Sequence, residues 1–327
     1  MFGRFPPVVA LKTVLRGTGF PESAEGRVLS LHRDAFNISF GGDIPEAVPV
    51  ERAILGSLVL QKIDMTASSL LVQSPHEGFR MDDLPMSRGD TAVIRGSAIE
   101  CAGTWTICLA SVNDAPPYDG RISILRPESR RERLRQLASP IAGALLEAGR
   151  RRGLAPLAAA ILGEASPERI SAAARDPFVR AAYAALAPAL DGADPTASLE
   201  KLIGLGIGLT PSGDDFVVGA LAARALYGPG ALPQRERVGI ERRLAHTTIA
   251  GASIVRDALD GSFPEYLRRF TGHVAKATLL ADEQARTRRV TSAVVQAGAH
   301  GHSSGLDAVT GFTFGLTTWR SGGIVIQ

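Results

Sequence analysis

Two glycine- and hydroxyl-rich stretches hold the residue types from which a binding or catalytic site can be built. The first runs Gly204-Leu205-Gly206-Ile207-Gly208-Leu209-Thr210-Pro211-Ser212-Gly213-Asp214-Asp215 and leads straight into the apolar Phe216-Val217-Val218-Gly219. Alternating glycines let backbone N–H groups crowd around a ligand, and a helix N-terminus just beyond adds unpaired donors and a favourable dipole. That combination suits a phosphate or a carboxylate. The Gly206, Gly208 and Gly213 amides and the Thr210 and Ser212 hydroxyls are the expected donors. The stretch is not a Walker loop, because Gly-Lys-Ser/Thr is missing and no strand pattern precedes it. Ser212-x-x-Asp215 also fits a capping box, which by itself would explain both residues as parts of a helix start. Asp214 has the chemistry to hold a cation or to act as a base toward a substrate N–H.

The second stretch lies near the end of the chain: Gly298-Ala299-His300-Gly301-His302-Ser303-Ser304-Gly305-Leu306-Asp307, followed by Gly311. Laid on the first, both read Ser-Gly-x-Asp-x-x-x-Gly, as Ser212 to Gly219 and Ser304 to Gly311. The repeat predicts two helix starts facing each other across one anion, with Gly219 and Gly311 permitting close contact. The rival is two independent caps with glycine used for packing. On the first reading Ser303, Ser304, Gly305 and Asp307 join the ligand-binding set, and Asp214, Asp215 and His302 are the candidate catalytic groups. His302 suits proton transfer because an unperturbed imidazole titrates near neutrality. His300 and His302 with Asp307 have the types of metal ligands but lack a further convergent one, so no metal and no other cofactor is expected.

The elements that must position these residues fall into two parts. The region 1–125 reads as β-rich, with candidate strands at Val8–Leu15, Gly26–Leu31, Ala35–Phe40, Leu58–Gln61, Ser69–Gln73, Thr91–Arg95 and Thr104–Ser111. Short strands punctuated by Gly, Pro, Ser and Asp suggest a barrel or a sandwich. The character changes around Asp114-Ala-Pro116-Pro117-Tyr-Asp119-Gly120. The region 126–327 then reads as a C-terminal α-helical bundle carrying both glycine-rich loops, so the class is α+β. Its helical stretches are Leu154–Leu162, Pro177–Leu190, Phe216–Leu226, Arg235–Leu259, Pro264–Leu280 and Ala281–Ala297, with many small residues that allow close helix approach. Thr248 and Ser253 read as packing residues with satisfied hydroxyls, and Lys201 as a helix-surface lysine within reach of the first loop.

Composition removes several classes. At 327 residues and 45% apolar content the chain has material for a sizeable core, which excludes fibrous and disordered classes. No apolar run approaches the roughly 18 residues of a membrane span, and the first residues lack a secretory h-region. Cys101 and Cys108 are too few for a disulfide framework and read as small core residues. A cytoplasmic protein is expected. Net charge is +3, and all the excess lies after residue 125, where 25 basic residues face 19 acidic ones and favour an anionic substrate. The basic clusters at 126–133 and 150–152 carry no interleaved aromatics, so no nucleic-acid partner is expected.

The run from Gly206 to Asp215, with Gly301-His302-Ser303-Ser304-Gly305-x-Asp307, closely resembles the AllH-like family, and the layout of residues 130–320 is compatible with it. The resemblance implies a place in purine and allantoin catabolism, as one subunit of an oxamate carbamoyltransferase working with two other kinds of subunit. That reaction interconverts oxalurate plus phosphate with oxamate plus carbamoyl phosphate. The implied partners are a small anionic metabolite (phosphate, carboxylate or carbamoyl phosphate) and the other subunits, with a homo-oligomer also compatible. Two other classes stay open: a non-catalytic, anion-sensing partner subunit, and a small-metabolite hydrolase or phosphotransferase.

Overall fold

The computed structural model describes residues 8–40, 53–101, 105–126, 128–149, 152–163, 176–228 and 232–319. Thr104, Pro127, Arg150 and Arg151 therefore lie outside the described residues. The chain divides into two compact units, Met1–Gly120 and Arg121–Gln327.

The first unit is a closed β-barrel with a short extra strand. Its strands are β1 (Val8–Gly17), β2 (Ser23–Leu31), β3 (Ala35–Phe40), β4 (Ile54–Val59), β5 (Ser69–Gln73), β6 (Thr91–Arg95), β7 (Ala98–Cys101), β8 (Trp105–Ala110) and β9 (Pro117–Tyr118). Their order is β5-β4-β3-β2-β6-β7-β8-β1-β9, and β1 also pairs antiparallel with β5, which closes the ring through eight strands. Closure selects the barrel over the sandwich. It leaves the eight ring strands without a free edge, which is how all-β units avoid edge-to-edge association. Inward-facing Leu11, Phe36, Ile38, Leu70, Ile94 and Ile99 fill the interior. Cys101 is buried on β7, whereas Cys108 on β8 is half-buried.

The second unit is helical. Its helices are α1 (Glu128–Gln136), α2 (Ala138–Ala148), α3 (Ala158–Ile161), α4 (Pro177–Leu190), α5 (Pro195–Leu202), α6 (Ser212–Tyr227), α7 (Gln234–Arg243), α8 (Ile249–Leu259), α9 (Glu265–Ala277), α10 (Glu283–Gly298) and α11 (Ser304–Thr318). The long helix expected over Arg235–Leu259 is two helices. A 3-10 turn at Leu244–His246 intervenes, and Thr248 caps α8 by accepting from the Gly251 amide at 2.9 Å. Leu154–Leu162 begins with a 3-10 turn, Ala155–Leu157, before the single turn of α3.

Helices α6 and α11 form the centre and are buried nearly all round, as core helices are. They touch backbone to backbone. A Cβ on Gly219 would collide with the Ala308 carbonyl, and one on Gly311 with the Phe216 carbonyl. Ala308 and Phe216 occupy equivalent places in the two motifs, so the contact is a local two-fold. The start of each helix is seated in the same way. A Cβ on Gly213 would strike the Leu202 carbonyl at the end of α5, and one on Gly305 the Ala297 carbonyl near the end of α10. Among the described residues no helix is long and apolar enough to cross a membrane.

Candidate functional site

Because α6 and α11 meet near their N-termini, the two loops converge. Thr210 Oγ1 and Ser304 Oγ are 3.3 Å apart across them. Neither helix start uses a side-chain cap: Pro211 and Ser303 hold the N-cap positions without a capping hydrogen bond. The capping box is not formed. Its residues are exchanged between the helices, with the Ser304 hydroxyl serving Asp215 and the Ser212 hydroxyl lying beside Asp307. Thr210 also donates to Asp215 Oδ2 at 3.2 Å.

The three aspartates are buried, at 0% exposure for Asp214, 2% for Asp215 and 0% for Asp307. Asp307 Oδ1 accepts from the Leu154 amide at 2.5 Å, and Gly153 permits that approach, since a Cβ there would strike the carboxylate. Burial pushes Asp307 up to about 6. The Leu154 amide, the Ser212 and Ser303 hydroxyls and the charge of Arg152 hold it back from rising further. Its Oδ2 completes no hydrogen bond with any described residue. Asp215 is raised well above the carboxylate range, first by burial and then by the charge of Asp307. Tyr266, on the first turn of α9, has its phenol raised by burial and by both of these carboxylates, so it stands beside the pair. The His300 ring stacks on Tyr266 with centroids 4.0 Å apart.

Asp214 faces elsewhere. Its Oδ1 accepts from the Gly204 amide at 2.8 Å, and Oδ2 accepts from the Thr247 hydroxyl just ahead of α8. Gly251 leaves room for it, because a Cβ there would collide with Oδ2. Burial pushes this carboxyl up to about 6, against the lowering by Thr247 and Gly204. Thr248 anchors the same loop by donating to the Leu209 carbonyl at 2.6 Å.

The donors differ from expectation at two glycines. Gly213 N–H is committed to the Leu205 carbonyl at 2.8 Å and Gly305 N–H to the His300 carbonyl at 3.2 Å, so neither amide is open to a ligand. The N–H groups of Gly206, Ile207, Gly208, Leu209, Thr210 and Ser212 in the first loop, and of Ser303 and Ser304 in the second, make no hydrogen bond within the described residues. Gly206 and Gly208 have φ of +119° and +109°, a backbone region favouring glycine. Ile207 at the loop tip is 80% exposed. His302 is exposed, and its carbonyl accepts from Arg152. Lys201 is exposed on α5.

Sequence reasoning missed Tyr266, the inward role of His300, and the approach of Arg152 and Leu154. Tyr266 sits in an ordinary amphipathic helix with no motif around it. The 152–154 segment lies 153 or more residues from Asp307 in the chain, so spacing carried no signal for it.

No curated protein and no solved structure matches the chain. Residues 202–316 match the model of a family described as oxamate carbamoyltransferase subunit AllH. The match starts at the last residue of α5 and ends within α11, and so spans both helix starts.

Proposed function

We propose that the helical unit binds a small anion at the two converging helix starts, as one subunit of an oxamate carbamoyltransferase-like enzyme of purine and allantoin catabolism. The observation that carries this reading is the convergence itself: two Ser-Gly-x-Asp starts, with unpaired amides on both loops and hydroxyls between them. Unpaired N–H groups at a helix N-terminus favour a phosphate or carboxylate through both hydrogen bonds and dipole. The amides of Gly206, Gly208, Ser212, Ser303 and Ser304 would hold the oxygens. Charge developing on a carbamoyl carbonyl would meet the same donors.

Proton transfer to or from the amide nitrogen falls to the Asp215–Asp307 pair, with His302 at the exposed rim as a relay to solvent. Asp214, enclosed and doubly hydrogen-bonded, acts by positioning the first loop. The family description is that of a subunit, so other subunits would complete the enzyme. The exposed Ile207 favours a second reading, in which the loop tip docks on such a partner and the chain alone shows no turnover.

Calorimetric titration of the chain with phosphate, oxamate, oxalurate and carbamoyl phosphate tests the first reading. Binding that is lost in Gly208→Val supports the loop amides as donors, because a β-branched residue cannot keep that backbone region. Binding unaltered by Gly208→Val removes the first loop from the site. No binding to the wild-type chain favours the docking reading.

A further inference from the structure

We propose that Asp215 and Asp307 hold one proton between them in the ligand-free chain, and that the loops take up their anion together with a second proton. The inference rests on the anion reading above and adds its coupling to pH. Its basis is geometric. The two carboxylates come from the first turns of α6 and α11, which Gly219 and Gly311 lock in backbone contact, and both are enclosed. Among the described residues neither forms an ion pair. Asp307 Oδ2 is buried without a hydrogen-bond partner, an arrangement most costly for an ionised carboxylate, less so for a protonated one, and suited to an oxygen awaiting a ligand donor.

The groups that face the pair are Asp214 on α6, Tyr266 on α9 with His300 stacked on it, and Arg152 ahead of the 3-10 turn. Arg152 is the one cation among them, and its guanidinium donates to the His302 carbonyl. Two adjacent buried carboxylates without a dedicated counter-ion cannot both ionise readily, and their protons belong to the pair. The open amides lie in the same loops as these carboxylates. An anion arriving there meets one residual negative charge, and a proton from solvent neutralises it. Anion affinity then falls by about tenfold per pH unit wherever one proton accompanies one anion.

Two measurements on the full chain test this. Oxamate and sulfate, which do not titrate near neutrality, are bound by calorimetry in buffers of unlike ionisation enthalpy. The expected result is uptake of about one proton per anion in the wild type and none in Asp307→Asn, whose side-chain oxygen still accepts from Leu154. Infrared spectra of the ligand-free chain at neutral pH should show a protonated-carboxyl C=O stretch with a component that shifts, without being lost, in Asp307→Asn and in Asp215→Asn, where the remaining carboxyl keeps the proton. Absence of that component overturns the shared proton. Anion binding without proton uptake overturns the coupling and leaves the anion site standing. Failure of both anions to bind overturns the coupled uptake and the anion reading together, whereas the infrared component is read without any ligand and judges the shared proton separately.

Discussion

Asp214 joins three segments: its own helix, the Gly204 amide at the entry to the first loop, and Thr247 ahead of α8. Replacement by alanine would leave the half-buried Gly204 N–H without its carboxylate acceptor, a loss of about 1 kcal/mol. Asp214→Ala is therefore expected to lower the melting temperature and to speed amide exchange across residues 203–211. Asp214→Asn, which keeps an acceptor for Gly204, should do less of both. Unchanged exchange in the alanine variant would remove the clamp. A second carboxyl gives a pH prediction of its own. Burial pushes Asp257 on α8 up to about 7, and its Oδ2 is buried without a partner. Its folded pKa is raised above the unfolded value of about 3.9, so the folded state binds the proton more tightly. Stability from this group is full at acid pH and is lost as pH rises from about 4 to about 7. Asp257→Asn should match the wild type in melting temperature at the acid end and exceed it above neutrality. The side chain is partly exposed, so the gain is about 2 kcal/mol, less than a fully enclosed carboxylate would give. Asp215 and Asp307 were legible in the sequence because their motif repeats. Which hydroxyl serves which carboxylate was not, because the partners are exchanged between two helices distant in the chain.

At the level of elements, the two helix starts meet because α6 and α11 approach more closely than side chains allow. Gly219→Ala or Gly311→Ala would place a methyl group inside a backbone carbonyl of the facing helix. Each should cost about 3 kcal/mol or more and separate the two loops, so that oxamate affinity falls along with melting temperature. Gly272→Ala, within α9 where an added Cβ meets nothing, should instead stabilise by roughly 0.5–1 kcal/mol and leave binding alone. Equal effects at positions 219, 311 and 272 would dismiss the crossing as the device that positions the site. The crossing glycines were readable from their equal offset after each Ser-Gly-x-Asp. Alternation revealed most barrel strands, including Ala35–Phe40, Ser69–Gln73 and Thr91–Arg95 with their observed bounds. It failed for β7 and β9, of four and two residues, which are too short for a period to register. Helix α5 was read only at Lys201 and without bounds, because its start is set by the Asp194 cap and Pro195, while its eight residues carry little apolar pattern.

At the scale of the whole molecule, the chain leaves one compact unit and enters the other over a few residues. Strand β9 still pairs with β1 in the barrel, and the Leu125 amide already donates to the Leu226 carbonyl near the end of α6. The passage therefore lies between Asp119 and Ile124, and Ile124 is 49% exposed. Each unit has its own core, and every residue placed in the candidate site belongs to the helical one. A unit with its own core can fold alone, and cleavage concentrates where few contacts hold the backbone. Limited proteolysis is therefore expected to cut first near residues 119–124 among the described segments and to release a helical fragment that stays folded. If the two helix starts suffice for the anion, that fragment should bind oxamate with the affinity of the full chain and show the same proton uptake. A folded fragment that has lost binding would instead assign part of the site to the barrel, and the helix-start geometry would then be necessary without being sufficient.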